Sequence, residues 1–310
     1  MKNININIEK TELITCTQED LQHKRLDKLL FSKYPDLSRS YFQELINKNL
    51  ITVNSNSKIK PSYKFKKNDL ITINFPKITQ YNVKAQDINF DIIDIKPDFI
   101  IVNKPAGLVV HPSDNNKDEV SLVHGLLYKF KEFNDFDDNQ RPGIVHRIDR
   151  GTSGLLIVAR NMKSQIKFSK MFKDRHIKKT YIAVVSGHPP KEGKIDYPIG
   201  RHPSKSHLMS HKSYNSKPAL TYYKVLEYFK NESLVEIKIV TGRTHQIRVH
   251  MAAIGHGLLG DGYYGYLSKF ISHPALHAFK LSFDYKCETF EYECKIPEDI
   301  NFLINNLEKR

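Results

Sequence analysis

Residues 141–160, RPGIVHRIDRGTSGLLIVAR, hold the side chains with the clearest potential for chemistry. One carboxylate, Asp149, lies between two arginines, Arg147 and Arg150, and His146 precedes them. Polar groups packed this densely beside a core strand cost free energy unless they bind one another or a ligand. An aspartate among arginines is most often a structural ion pair, so a catalytic interpretation depends on the rest of the string.

A loop and a buried strand must position these side chains. Pro142 and Gly143 break the preceding structure. Residues 155–159, LLIVA, form a short apolar run that is typical of a strand covered on both faces. We therefore expect Asp149 to lie in a loop that leads directly into the core.

The string HRIDRGTSGL, residues 146–155, resembles the signature H-R-L-D-x-x-T-S/T-G of the RluA family of pseudouridine synthases. Ile148 in place of leucine is the one departure, and it conserves side-chain volume. Three more segments resemble the same family: K-P-x-G at residues 104–107, K-x-Y at residues 179–181 and TGRTHQIRVH at residues 241–250. The resemblance extends from about residue 22 to residue 300.

The resemblance implies a fold of the α/β (α+β) class. We expect a catalytic domain over residues 91–310, with a long mixed, largely antiparallel sheet and an active site in a basic cleft. Within it, the spacing of apolar residues predicts a helix over residues 119–130 and a second helix capped by Thr244.

The same resemblance implies the reaction, in which the N1–C1′ bond of a uridine breaks and the base rejoins the ribose through C5. Asp149 would act at C1′ or as a base on the ribose, and the sequence leaves both open. Arg248 would keep that carboxylate ionised in a desolvated site. Tyr181 is the candidate base for the C5 proton, although a tyrosine pKa of about 10 requires help from a nearby charge. No cofactor is expected, because nothing is oxidised or reduced and no energy input is needed.

The target uridine must leave its stack in folded RNA, at a cost of roughly a few kcal/mol. Arg147 would fill the vacated space or hold the phosphate of the flipped nucleotide. His146, Arg150 and Lys104 are further candidate RNA contacts in this domain.

An N-terminal module precedes the catalytic domain. KRLDKLL at residues 24–30 and SRSYFQELINKNLITVN at residues 38–54 resemble an S4 RNA-binding domain, with two helices followed by a small hairpin. Ser38 is the expected N-cap of the second helix. We expect a loosely structured lead-in over residues 1–20, the S4 domain over residues 21–75 and a linker over residues 76–90.

Positive charge is concentrated in the S4 module. Residues 21–75 contain eleven basic and four acidic side chains, a net charge of +7, which is half of the +14 of the 310-residue chain. Charge this uneven favours a phosphate-binding surface over an ordinary solvated face. Arg25, Arg39 and Lys48 are the candidate contacts, and the family resemblance implies that the partner is ribosomal RNA of the large subunit.

Composition and motif spacing narrow the classes of protein that remain possible. No apolar run approaches the length of a membrane span, and the N-terminal residues lack the apolar segment of a secretory signal. Three cysteines do not make a disulfide framework, which indicates reduced thiols and a cytoplasmic protein. His245 and His250 lack the glutamate of a zinc motif, so no metal is expected. We expect a monomer.

Two alternatives stay open. A related enzyme could modify other uridines in the same rRNA or in a tRNA, and residues 199–223 favour the large-subunit type because they resemble that subgroup. A non-catalytic RNA-binding assembly factor is the other alternative, against which the combination of Asp149, Tyr181 and Arg248 argues. GHGLLG at residues 255–260 fits a dinucleotide motif, but a helix precedes it and Asp261 follows, so that interpretation is discarded.

Overall fold

The computed structural model describes residues 8–310 except residues 36, 38, 77–82, 113–115, 117, 137–140 and 206. The chain divides into two compact units, Met1–Gln80 and Tyr81–Arg310. In the described part of the chain, no helix combines the length and the apolar character that crossing a bilayer requires.

The first unit packs two helices against a small sheet. The described elements are β1 (Ile8–Thr15), α1 (Leu26–Lys33), α2 (Arg39–Asn47), β2 (Ile51–Val53) and β3 (Leu70–Pro76). The described strands have the antiparallel order β1-β3-β2. The core forms because apolar residues at helical spacing meet the inward face of the strands: Leu26, Leu29, Leu30, Phe42, Leu45, Ile46, Ile71 and Ile73 are buried. Ser38, the expected N-cap, lies outside the described residues.

Strand β1 corrects the expectation of a loose lead-in over residues 1–20. Residues 8–15 pair with β3, from Ile8 opposite Pro76 to Thr15 opposite Leu70. Most of the side chains of β1 are exposed, so the strand is held through its backbone hydrogen bonds. An edge strand of this kind has no apolar alternation from which the sequence could reveal it.

The second unit is built on a long sheet. Its elements in chain order are β4 (Asp91–Ile95), β5 (Phe99–Lys104), α3 (Leu122–Lys129), β6 (Ser153–Ala159), α4 (Met162–Lys173), β7 (Lys178–Ser186), β8 (Glu192–Ile195), β9 (Gly200–Arg201), β10 (Met209–Ser210), β11 (Thr221–Tyr228), β12 (Glu232–Ile239), α5 (Gln246–Ala253), β13 (Leu276–Tyr285), β14 (Glu288–Glu293) and α6 (Glu298–Asn305). Nine described strands form the sheet, in the order β4-β5-β6-β13-β7-β12-β11-β8, with β14 on β13. The pair β6–β13 is parallel and the other pairs are antiparallel, which confirms the mixed, largely antiparallel sheet.

Strand β6 lies in the middle of this core. Every residue from Ser153 to Ala159 is buried, as the apolar run predicts. Its alternate side chains point into two apolar clusters, Leu156 and Val158 into one and Leu155 and Ile157 into the other. The loop that carries Asp149 therefore leads directly into a fully buried strand.

The expected linker over residues 76–90 needs correction in its second half. Val83 and Phe90 are buried in the core of the second unit. Phe90 lies so close to α3 that a Cβ on Gly125 would be 2.7 Å from its ring. Isolated apolar residues in an extended segment have no periodicity, which is why the sequence suggested a linker. Residues 77–82 are outside the described part of the chain.

Two helix boundaries differ from expectation, and one helix was not expected. Helix α3 begins at Leu122, because Ser121 and His124 form a capping box there. Helix α5 begins at Gln246, and its N-cap is His245 in a left-handed conformation (φ 54°), so Thr244 is not the cap. Helix α6 was not predicted, and it covers the core with Ile300 and Leu303.

Candidate active site

A cleft of about 480 Å³ opens where β7 begins, β12 ends and the loop before β6 turns into the core. This volume lies within the usual range for small-ligand sites. Asp149, Tyr181, Arg248, Arg147 and His146 all line the cleft. The structure thus brings the three predicted catalytic residues, which come from three separate segments, into one site.

The Asp149 loop is anchored on both sides. The backbone oxygen of Asp149 accepts a hydrogen bond from the Thr152 N–H at 3.1 Å, and that of Arg150 accepts one from the Gly107 N–H at 2.9 Å. Gly154 has φ +115°, and a Cβ there would lie 2.3 Å from the Ala278 carbonyl oxygen. A glycine is therefore required for β6 to pair with β13 directly after the loop.

Arg248 connects two carboxylates. Its Nη1 lies 3.5 Å from Oδ2 of Asp149, whose side chain is 20% exposed. Its Nε and Nη2 donate to Asp261 at 2.6 and 2.8 Å, a bidentate pair in which Asp261 is fully buried. The main partner of Arg248 is therefore Asp261, with Asp149 as the second carboxylate.

Asp261 is a residue that the sequence analysis missed. Burial alone would raise the pKa of its carboxyl, but hydrogen bonds from Arg248 and from the Tyr263 and Tyr264 N–H groups bring the pKa below its usual value. In the sequence, Asp261 stands out only as an acidic residue among glycines and tyrosines after α5. This pattern argues against a dinucleotide site but does not indicate an ion pair with Arg248.

An aromatic ring holds Arg248 from a further side. The guanidinium carbon lies 4.9 Å from the centre of the Tyr264 ring, a cation–π distance. The Tyr264 hydroxyl is itself fixed by His245 Nδ1 at 2.8 Å and by the Met209 N–H at 2.7 Å. Arg248 is thereby held in one orientation toward Asp149.

Tyr181 lies in β7 with 7% of its surface exposed. Burial, with a further contribution from the charge of Asp149, raises the pKa of its phenol well above the usual value. Action of Tyr181 as a base requires a nearby charge that helps its phenol to ionise. The charge that acts on it has the opposite effect, so the resting side chain is a protonated phenol.

His146 is turned inward. Its Nε2 accepts a hydrogen bond from the Ile157 N–H at 2.9 Å, and its ring stacks on Phe172 with 4.1 Å between centroids. Burial, together with the charge of Lys179, lowers the pKa of His146 to about 3, so the ring is neutral. His146 therefore fixes the loop to β6 while it also lines the cleft, and its role as an RNA contact stays a prediction.

Lys104 also needs correction as an RNA contact. The side chain is fully buried, and Nζ donates to the backbone oxygens of Pro105, Leu108 and Arg150 at 2.8, 2.7 and 3.2 Å. Burial lowers its pKa to about 7. Lys104 joins the K-P-x-G turn to the Asp149 loop, an arrangement that a count of charges cannot reveal.

Three of the candidate RNA contacts are exposed: Arg147, Arg150 and Lys48. Arg147 is exposed and faces the cleft, whereas Arg150 is exposed and forms an ion pair with Glu119. In the N-terminal unit, Lys48 pairs with Glu44 at 2.6 Å on the helix surface.

Arg25 and Arg39 converge on one buried carboxylate, Asp27, with N–O distances of 2.8–3.0 Å. Gln43 donates to the same group at 2.7 Å. Burial would raise the pKa of Asp27, but these donors lower it to about 2. The two arginine side chains are still 39% and 41% exposed, so each joins the helices and also faces solvent.

Comparisons with known proteins show the family to which the chain belongs. The RNA pseudouridylate synthase family matches residues 98–253, and the S4 domain matches residues 24–71. The chain belongs to the RNA pseudouridine synthase family. It is 36% identical to the ribosomal large subunit pseudouridine synthase D of Zymomonas mobilis, over 96% of this chain and 98% of that protein.

Two further proteins are similar to this chain, one in sequence and one in structure. An RNA pseudouridine synthase of Aquifex aeolicus, whose name gives no substrate, is 38% identical over 93% of this chain and 95% of its own. The structure of human RNA pseudouridylate synthase domain containing 1 superposes with a TM-score of 0.57 at 32% identity, covering 67% of this chain and 83% of that one.

Asp261→Asn tests whether the buried pair orients Arg248. Without the second carboxylate oxygen, Arg248 loses its bidentate anchor, and a shift of about 1 Å at the site is expected to lower kcat by about 10²-fold. Breaking a buried pair also costs about 3–5 kcal/mol of unfolding free energy. Tritium release from RNA labelled at uridine C5, with a denaturant titration, measures both effects.

Asp196→Asn is the matched control, because Asp196 is an exposed carboxylate paired with Lys194. If Asp261→Asn does not fold, Arg248→Lys provides the same test, since lysine keeps the charge but loses the bidentate geometry. A folded Asp261→Asn protein with the kcat of the wild type would contradict the positioning role.

Proposed function

We propose that this protein converts specific uridines of large-subunit ribosomal RNA to pseudouridine. The observation that carries the proposal is the position of Asp149 in the cleft, 3.5 Å from an arginine that a buried carboxylate orients. The name of the Zymomonas mobilis relative, which matches this chain along nearly its whole length, supports the choice of RNA. We infer a monomer that acts in the cytoplasm.

In the proposed reaction Asp149 is the catalytic carboxylate and Arg248 its positioning partner. The N1–C1′ bond breaks while Asp149 either bonds to C1′ or removes a ribose proton. The uracil then turns and forms the C5–C1′ bond, the C5 proton leaves, and N1, which no longer bonds to the ribose, takes up a proton. Substrate and product have the same atoms, so the reaction needs neither an oxidant nor a source of energy.

Tyr181 is proposed to relay the C5 proton without a free phenolate. Its raised pKa disfavours ionisation, but a phenol can accept a proton on oxygen while it passes its own proton to a carboxylate. Asp149 is the acceptor, and its charge already influences Tyr181. A relay of this kind agrees with a protonated resting side chain.

The two units are proposed to divide the work. Residues 21–75, with a net charge of +7, would add affinity and placement through the exposed parts of Arg25, Arg39 and Lys48. The second unit would carry the chemistry, with Arg147 replacing the flipped uridine in its stack or holding its phosphate.

Mapping of pseudouridines by carbodiimide primer extension tests the substrate. In rRNA from cells that lack the gene, we expect one or more stops in the large-subunit rRNA to disappear and to return when the gene is restored. Loss of stops only in tRNA or in small-subunit rRNA would favour the related enzyme with other targets. An unchanged pattern in all of these RNAs would favour a non-catalytic factor and contradict the proposal.

Tyr181→Phe tests the relay. Removing the hydroxyl should leave RNA binding intact and lower the single-turnover rate by about 10²–10⁴-fold, the usual contribution of a positioned proton-transfer group. Single-turnover tritium release, with filter binding as the control, measures the two effects. A rate near that of the wild type would mean that the ring only packs against the base.

A further inference from the structure

Lys179 is a buried cation that faces the cleft. Only 9% of its surface is exposed, and it lines the same cleft as Asp149 and Tyr181. Its Nζ lies 5.8 Å from the centre of the Phe172 ring and 4.0 Å from where a Cβ on Gly242 would be. Among the described residues, none forms a hydrogen bond or an ion pair with this ammonium group.

Lys104 provides the comparison within the same unit. Its buried ammonium group donates to three backbone oxygens, so its hydrogen-bonding capacity is filled. Lys179 has no such acceptors in the described structure, and burial, aided by the charge of Arg175, lowers its pKa to about 8. A buried charge without a partner costs free energy, and a bound anion would offset that cost.

The surroundings of Lys179 are suited to an anion. Three further cations line the cleft with it: Lys173, Arg175 and Arg243. Lys173 is the last residue of α4, and Arg175 lies two residues beyond it. Asp149 is the sole carboxylate among the described residues that line the cleft. The cleft thus combines one carboxylate, held by Arg248, with a separate group of cations.

The geometry of β7 sets the distance between the two groups. Lys179 and Tyr181 are two residues apart, so their side chains share one face of the strand and their Cα atoms are about 7 Å apart. The base and the phosphate of a single nucleotide are separated by a distance of the same order. A nucleotide whose base contacts Tyr181 can therefore bring a phosphate to Lys179.

We propose that Lys179, with Arg175, forms the subsite that binds the backbone phosphate of the flipped target nucleotide. The inference rests on the proposed function, because it assigns a part of the same RNA substrate to these residues. Lys179 acts here as a binding residue for the phosphate. It holds the nucleotide while Asp149 acts at the ribose.

The test compares Lys179→Met with Lys178→Met. Lys178 is the exposed neighbour on the opposite face of β7, so it controls for the loss of one positive charge. Large-subunit rRNA transcribed with tritium at uridine C5 is the probe. Single-turnover tritium release, measured over a series of enzyme concentrations and of salt concentrations, gives the second-order rate constant and its salt dependence.

For Lys179→Met we expect this rate constant to fall about tenfold and its slope against log salt to become shallower by about 0.7–0.9, the change for one lost phosphate contact. Lys179→Arg should keep the slope of the wild type, because it keeps the charge. Lys178→Met should match the wild type. The melting temperature of Lys179→Met should equal or exceed that of the wild type, because an unpaired buried charge has been removed.

A Lys179→Met protein that folds and keeps the rate and salt slope of the wild type would overturn the subsite while leaving the proposed function intact. So would a Lys179→Arg protein as impaired as Lys179→Met. If Lys179→Met does not fold, Arg175→Asn, which suits the left-handed backbone at that position, must make the slope shallower or the subsite is wrong. A wild-type enzyme that releases no tritium would instead overturn the proposed function and this inference with it.

Discussion

The ion pair between Arg248 and Asp261 is the interaction on which the site depends. Asp261 is fully buried, yet it accepts hydrogen bonds from Arg248 Nε and Nη2 and from two backbone N–H groups. Such complete hydrogen bonding offsets the cost of burying two charges. Because both of these guanidinium nitrogens are committed to Asp261, Nη1 is held toward Asp149. The carboxylate proposed to act on the ribose is therefore oriented by a group that does not itself need to move.

The loop that carries Asp149 is fixed by hydrogen bonds from Lys104 and by close packing at Gly154. Lys104 draws three backbone oxygens around one buried ammonium group, and one of them belongs to Arg150, next to Asp149. Gly154 then allows β6 to approach β13 directly after the loop. The loop is thus held by hydrogen bonds at one end and by close packing at the other. This rigidity suits catalysis in which positioning within fractions of an ångström matters. The buried charge of Lys179 contrasts with that of Lys104, because it is left for a ligand to satisfy.

Much of this architecture could be predicted from the sequence, because long continuous motifs indicated both the core strand and the site residues. The apolar run after Asp149 predicted the buried strand, and the motif resemblance brought Asp149, Tyr181 and Arg248 together. The predictions of RNA contacts were less successful, because the presence of a charged residue in the sequence does not show whether its side chain is buried or exposed. Lys104 was expected to contact RNA but is fully buried, and Arg25 and Arg39, although partly exposed, both bind Asp27. Asp261 was missed because no sequence pattern pairs it with Arg248, 13 positions earlier, and β1 was missed because its pairing is carried by the backbone.

The charge of Asp149 is the central claim, and Asp149→Asn with C5-tritiated rRNA tests it most directly. Asparagine keeps the shape of the side chain and leaves the Arg248–Asp261 pair in place, so the protein should fold, which a melting curve verifies. RNA binding should persist, because phosphate contacts come from basic side chains. Tritium release should fall to the background measured without enzyme, since neither breaking nor rejoining of the glycosidic bond can proceed. A folded Asp149→Asn protein that releases tritium near the rate of the wild type would contradict the account.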